Sequence, residues 1–311
     1  MSNLPELRTL FAELVAEPSV SSADPALDQP NLGVITRVAE WAGSAGFRCE
    51  VMPVPGRPGK ANLIAIKGDG PGGLVLSGHA DTVPCQPQHW RSDPFRLDER
   101  DGRLHGLGIC DMKGFIALAL EAGAAVDART LREPLILLVT ADEESGMDGA
   151  RALLAAGRPR ARRAVIGEPT GLRPIRAHKG VLMESLRVEG RAGHSSRPDL
   201  GASAIDGLHC LLDTLATWRA ELATRHGAGD YALDHPTLNF GVIAGGEAPN
   251  VIAARGRLDI DLRFPAGHST ASLRAELHQR AAATALPAGC RLSFTQLFEG
   301  IPAFSTPIDS E

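Results

Sequence analysis

Four short stretches of the chain place a histidine and several carboxylates where they could share divalent cations and a water molecule. His79 and Asp81 close the apolar run GLVLSGHAD. On extended chain, residues two apart face the same way. Asp81 is thus placed to accept a proton from one ring nitrogen of His79, which leaves the other nitrogen for a metal. Asp111, in GLGICDMKG, opens a helical pattern after a glycine-rich turn. Gly106, Gly108 and Gly114 let backbone come close enough there for one carboxylate to bridge two cations. Glu143 and Glu144 follow LILLVTAD. Adjacent carboxylates repel unless something positive lies near them. If one binds metal its neighbour points elsewhere, which suits Glu144 as ligand and Glu143 as general base. Glu168, in AVIGEPTG, ends a further apolar run, and Pro169 stops that strand from continuing centrally.

Each position also has a plainer reading. His79 and Asp81 could be a structural loop pair, Asp111 could cap its helix, and Glu143–Glu144 could be a solvated charge run. What favours chemistry is that every one of them falls at a strand end or at the turn before a helix. In α/β sheets that edge is where ligands bind. One imidazole with three carboxylates suits Zn²⁺ or a similar divalent ion.

The elements that must position these groups follow from apolar spacing. Leu7, Leu10, Phe11, Leu14 and Val15 fall at helical intervals, as do Val34, Ile35, Val38, Trp41 and Ala42. The runs NLIAIKG, GLVLSGH, LILLVTA and AVIGEP, each bounded by Gly or Pro, read as strands buried on both faces. Helices over 111–125 and 146–156 fall between or after them. The sum is a layered α/β domain with a largely parallel central sheet. From about residue 177 the pattern becomes strand (181–189), helix (204–218), two strands (237–243 and 254–264), a helix after Ser269, and a strand (291–298). That β-α-β-β-α-β order is the ferredoxin-like arrangement, and Ser269 or Thr270 could cap its second helix.

With these positions in view, SGHADTVP, GLGICDMKG, TADEESG, IGEPTG and GRAGHSSRP resemble, in family order, the signatures of the M20 co-catalytic metallopeptidases and deacylases. Residues 26–29, 53–56, 176–180 and 231–239 extend the likeness to its deacetylating branch, and it runs to about residue 300. The resemblance implies hydrolysis of a small acylated amino acid, within a class that also contains desuccinylases, other acylamino-acid hydrolases and dipeptidases. It implies that His79 and Glu168 hold one metal, that Asp111 bridges, that Glu144 holds the second, and that Asp81 orients His79. Two ions are implied, Zn²⁺ first and Co²⁺ second. Glu143 would deprotonate the water and later protonate the leaving amine. His194 would stabilise the tetrahedral oxyanion, its alternative being a polar loop histidine. Asn250 and Arg263 match positions near the substrate carboxylate, although Arg263 could equally point outward from its strand. His178 and Lys179 either shape the pocket or serve the fold.

The resemblance also divides the chain into a catalytic metal-binding domain (1–176), an inserted lid and dimerisation domain (177–298) and the start of a return (299–311). A homodimer through the lid is expected. The family pattern ends with one more histidine ligand in a returning segment. His268 and His278 lie in or near the second lid helix, the wrong setting for it. The expectation is a truncated chain whose second metal site lacks a ligand, with weak or no activity as it stands. A second reading is a relative that dimerises or binds metal without turnover.

Composition excludes other classes. Hydrophobic residues make up 43% and charged residues 22% of 311, enough for two ordinary cores. The net charge is −5, with Lys and Arg dispersed, so nucleic acid is not an expected partner. No apolar run approaches the roughly 20 residues that span a bilayer, and the N-terminus lacks a basic-then-apolar leader. Five widely spaced cysteines without a C-x-x-C pair suit reduced thiols in a cytoplasm. Cys110 alone sits in a motif and reads as a small buried filler.

Overall fold

The computed structural model describes residues 4–22, 24–227, 229 and 231–310. Two units meet in sequence between Leu172 and Arg173, and each is built around its own apolar cluster.

In the first unit, the three-to-four spacing of apolar residues puts one face of α1 (Leu7–Ala16) and of α2 (Leu32–Ser44) into the core, burying Leu10, Leu14, Val34, Ile35 and Val38. Then come β1 (Arg48–Pro53), β2 (Ala61–Lys67), β3 (Leu74–His79) and a small hairpin, β4 (Asp98–Arg100) with β5 (Arg103–His105). They are followed by α3 (Lys113–Ala124), β6 (Leu135–Thr140), α4 (Asp148–Ala156) and β7 (Arg163–Ile166). The sheet order is β1-β2-β6-β3-β7. β2 runs against β1 and β6, while β6, β3 and β7 are mutually parallel, so only β2 points the other way. The sheet is therefore mixed but mostly parallel in strand direction.

Alternation along the inner strands feeds both faces of this sheet. Leu63, Ala65, Leu137 and Val139 pack with α1, α2 and α3, whereas Ile64, Val75 and Ile136 pack with Leu153 of α4. β2 and β6 are buried as expected of central strands. β7 is not: it is an outer strand, paired among the described residues only with β3, and all four of its residues are exposed. The apolar run AVI gave the strand correctly and its burial wrongly, because an apolar pattern does not reveal whether a strand has neighbours on both sides.

The second unit contains β8 (Ala177–His178), β9 (Gly180–Glu189), β10 (Gly193–His194), α5 (Ala204–Leu222), β11 (Thr237–Gly245), β12 (Val251–Ile252), β13 (Arg255–Phe264), α6 (Thr270–Ala282), β14 (Arg291–Ile301) and β15 (Phe304–Ser305). Its four-stranded sheet has the order β11-β13-β9-β14, antiparallel throughout, which is the ferredoxin-like arrangement. Alternation in β13 sends Leu258, Ile260, Leu262 and Phe264 under the helices and Arg257, Asp259, Asp261 and Arg263 to the other face. The helices are capped from within: Ser203 accepts from the Asp206 amide at 3.2 Å and Ser269 from the Ser272 amide at 3.0 Å. β15 pairs with β8, inside this unit. No described helix is long and apolar enough to cross a membrane.

Candidate metal centre

Parallel pairing decides the geometry of the site. Because β6, β3 and β7 are adjacent and parallel, their C-terminal ends lie side by side, and those ends carry Glu143–Glu144, His79 and Glu168 in that order. Asp111 comes from the turn before α3, the helix that packs over β3 and β6. Gly167 lets that helix come near: a Cβ there would sit 1.9 Å from Cγ of Phe115. Asp111 does not cap α3, whose N-cap is Met112 without a side-chain bond.

The groups converge on the His79 ring, which is 1% exposed. Its Nε2 lies 3.1 Å from Asp111 Oδ1 and 3.9 Å from Glu168 Oε1. Ligand atoms of His79, Asp111 and Glu144 fall within 4.8 Å of one another, and so do those of His79, Glu143 and Glu168. The structure thus brings together all five residues read as ligands or base, and His79 belongs to both groups.

Nδ1 of His79 lies 2.9 Å from the backbone carbonyl of Asp81, and the Asp81 carboxylate is farther, at 3.6 Å. A carbonyl oxygen only accepts, so this contact puts the proton on Nδ1 and leaves Nε2 free for a metal. The orienting contact therefore comes chiefly from the Asp81 main chain. Its carboxylate ties turns together instead: Oδ2 accepts from the Glu144 amide at 3.0 Å, while the buried Oδ1 has no hydrogen-bond partner among the described residues.

The electrostatics call for a cation. Burial pushes the carboxyls of Asp81, Glu143 and Glu168 above their ordinary range, and burial with the nearby Asp111 charge takes Glu144 to about 7. For His79 burial acts downward, but Asp81, Glu143, Glu168 and Glu144 outweigh it and the ring is raised. Acids that resist ionisation around a histidine that holds its proton are what a multivalent cation relieves. The donor set, imidazole nitrogen with carboxylate oxygens, fits Zn²⁺, Co²⁺ and their neighbours. The orphaned Asp81 oxygen is consistent with the same field.

Three residues outside the cluster, Asp142, Lys60 and Asn62, shape it, and none of them has a residue type that marks it for chemistry in the sequence. Asp142, 1% exposed, precedes Glu143 with φ +56°, a left-handed conformation unusual for a non-glycine residue. Its Oδ1 accepts from Lys60 Nζ at 2.6 Å, and the same ammonium donates to Asp28 at 2.8 Å. Lys60 is itself 4% exposed. Asn62 completes the support, accepting from the Ala141 amide at 3.0 Å and donating to the Gly149 carbonyl at 2.9 Å. Asp142 lies within TADEESG; Lys60, between Gly59 and Ala61, carries no signal of its own. Cys110, expected to be buried, is exposed and belongs to neither metal group.

The remaining candidates lie in the second unit. His194 ends β10, which pairs with β12 so that His194 faces Val251, and the Ser195 amide donates to the Asn250 carbonyl at 3.0 Å. His194 and Asn250 are therefore neighbours, both exposed. The Ser196 amide donates to His194 Nδ1 at 3.2 Å, which makes Nδ1 an acceptor and places the ring proton on Nε2. Arg263 lies on the open sheet face, its guanidinium closed on Asp261 at 2.8 and 2.9 Å. His178 stacks on Phe304, and Lys179 donates to the His235 carbonyl at 3.0 Å, so both hold this unit's own fold.

The model of peptidase family M20/M25/M40 matches residues 75–301. Acetylornithine deacetylase of Proteus mirabilis (strain HI4320) is 44% identical over 306 residues, spanning 98% of this chain and 79% of that protein. Among solved structures, the M20 family metallo-carboxypeptidase Sso-CP2 of Sulfolobus solfataricus superimposes with a TM-score of 0.77 at 16% identity, over 99% of this chain and 81% of its own. The Bacillus subtilis YXEP protein, described as a dinuclear metal binding peptidase from the M20 family, gives 0.61 at 16% identity, over 97% and 75%. At such identities the structural likeness concerns the fold.

Proposed function

The chain belongs to peptidase family M20/M25/M40 and is a hydrolase of that family, and we propose that it removes the acetyl group from N2-acetyl-L-ornithine, releasing acetate and L-ornithine. The observation that carries the substrate is the 44% identity to the Proteus deacetylase across 98% of the chain. The reaction class is supported by the convergence of His79, Asp111, Glu143, Glu144 and Glu168 at one sheet edge. The product would serve arginine biosynthesis in a cytoplasm.

In this reading His79 and Glu168 would hold one divalent cation and Glu144 a second, with Asp111 as the ligand they would share and Zn²⁺ preferred over Co²⁺. Bound there, the ions supply Lewis acidity, polarising the amide carbonyl and lowering the pKa of a water. Glu143 takes the proton of the attacking water and delivers it to the amide nitrogen as the C–N bond breaks. Asp81 keeps His79 in the required tautomer through its carbonyl. His194, with its proton on Nε2, donates to the oxyanion of the tetrahedral adduct. Asn250, beside His194 in the second unit, would read the substrate carboxylate. Arg263 can join only by exchanging Asp261 for that carboxylate.

A homodimer through the second unit is part of the proposal. β11 is an outer strand with Val242 and Ile243 exposed, an edge that strand addition from a second copy would cover. A chain that sediments as a monomer at assay concentration removes that element.

The deciding experiment strips the chain with a chelator, reloads it with Zn²⁺ or Co²⁺, and compares hydrolysis of N2-acetyl-L-ornithine with that of N-succinyl-diaminopimelate. Turnover of the first in preference to the second, even if weak, supports the reading. Turnover of the second alone moves the chain to the desuccinylases. Tight metal uptake with no turnover of either leaves a binding relative.

A further inference from the structure

Residues 14–21, the end of α1 and the extended segment after it, contribute no side chain to the metal cluster, yet they bond to three of the turns that build it. The first is the Asp111 turn. Lys113, 1% exposed, reaches back to donate from Nζ to the carbonyls of Leu14 at 3.1 Å and Glu17 at 2.7 Å. Val15, fully buried, fills the space beside Gly106, where an added Cβ would lie 2.7 Å from Val15 Cγ1. The glycine at position 106 is thus explained by what presses on it.

The second is the turn that carries His79 and Asp81. Ser19 Oγ donates to the Ala80 carbonyl at 2.7 Å, the Thr82 amide donates to the Ser19 carbonyl at 3.2 Å, and the Ser21 amide donates to the Thr82 carbonyl at 2.9 Å. The third is the turn of Glu143 and Glu144. Ser21 Oγ donates to Asp142 Oδ1 at 3.0 Å and also meets Ser145 Oγ. Ser19, Ser21, Lys113 and Asp142 are all buried, so none of these bonds is exchanged freely with water.

The sheet fixes where the strands end, but a turn beyond a strand end has freedom of its own. Ligands converging on one ion must be held to about 0.5 Å. A single segment bonded to all three turns fixes them against one another, which the strands alone do not do. We propose that residues 14–21 are a splint for the metal centre, with Ser21 the positioning residue of the Glu143–Glu144 turn. The proposal rests on reading the cluster as a metal site.

The test is Ser21→Ala and Ser21→Thr in the full chain, with Ser19→Ala as a separate cut at the His79 turn. Divalent-cation affinity is read by competition with a chromophoric chelator, and kcat and KM on N2-acetyl-L-ornithine are read alongside. Asp142 keeps its Lys60 bond in Ser21→Ala, so the fold survives. Loss of one buried hydrogen bond at a ligand turn is expected to lower the affinity of the more weakly held ion about tenfold. We expect kcat to fall in parallel, KM to stay within about twofold, and Ser21→Thr to recover most of the loss, because the hydroxyl does the work. Ser19→Ala is expected to weaken metal binding as well. Wild-type affinity in both alanine variants overturns the splint while leaving the metal reading intact. A wild-type chain that takes up no divalent ion overturns both.

Discussion

Replacing Glu144 with glutamine tests whether the fold holds this cluster against its own electrostatics. Burial first, and then the Asp111 charge, raise the Glu144 carboxyl from 4.5 to about 7 in the metal-free chain. A carboxyl raised in the folded state keeps its proton longer there than in the unfolded state. Its contribution to stability is therefore most favourable below pH 4.5, declines as pH climbs toward 7, and is constant above that. The full gap corresponds to roughly 3 kcal/mol. The side chain is partly exposed, so solvent screening reduces the working figure to about 1–2 kcal/mol. Glutamine keeps the shape and removes the charge. Metal-free Glu144→Gln should therefore be more stable than the parent by about 1–2 kcal/mol at pH 8, with the gain fading as pH falls toward 5. Urea unfolding in excess chelator at pH 8, 6.5 and 5 measures this through the midpoint at constant slope. With a divalent ion at a hundredfold its dissociation constant the order should reverse, since the parent then gains about 2.7 kcal/mol from binding. No gain at pH 8 would refute the argument, and so would a gain of the same size at every pH, because that would be packing rather than charge.

Glu143→Gln should lower kcat by about 10²–10⁴ while metal affinity stays near that of the parent; loss of an ion in this variant would instead make Glu143 a ligand, as its grouping with His79 and Glu168 also permits. His194→Ala should lower kcat by about 10²–10³ with both ions retained. A change confined to KM would move His194 from the oxyanion to substrate binding. Loading the stripped chain at pH 6 should release most of a proton from Glu144, and more from His79, Glu143 and Glu168, whose protonated forms are also favoured. Calorimetry in buffers of different ionisation enthalpy counts these protons, and a release near zero would mean that the carboxyls were already ionised.

Much of the fold was readable where burial and spacing coincide. α1 and α2, β2 and β6, and the β-α-β-β-α-β order of the second unit all follow from apolar periodicity. β1 did not, because RCEVMP is nearly all exposed and carries no alternation. The hairpin of β4 and β5 is too short and polar to register. β7 was readable as a strand but not as an outer one. The reversed direction of β2 could not be read either, since a buried strand has the same pattern whichever way it runs.

The site divides along a different line, and the division is physical. Ligation and proton transfer restrict residue type, so His79, Asp111, Glu143, Glu144 and Glu168 could be picked as candidates once their shared place at strand ends and at the turn before a helix was read with their chemistry. Holding such a cluster together restricts only position. A buried ammonium at Lys60, a left-handed Asp142, an Asn62 amide and the hydroxyls of Ser19 and Ser21 are ordinary residues made specific by where the chain brings them. Yet the acids whose proton affinities are raised oppose folding at neutral pH when no cation is present. The restoring force must come from groups that bind neither metal nor substrate. The ligand set transferred to another sheet edge without Lys60, Asp142 and the 14–21 segment should therefore lose its spacing before it loses its chemistry: the carboxylates would move apart into water, return toward their ordinary acidity, and hold a divalent ion more weakly.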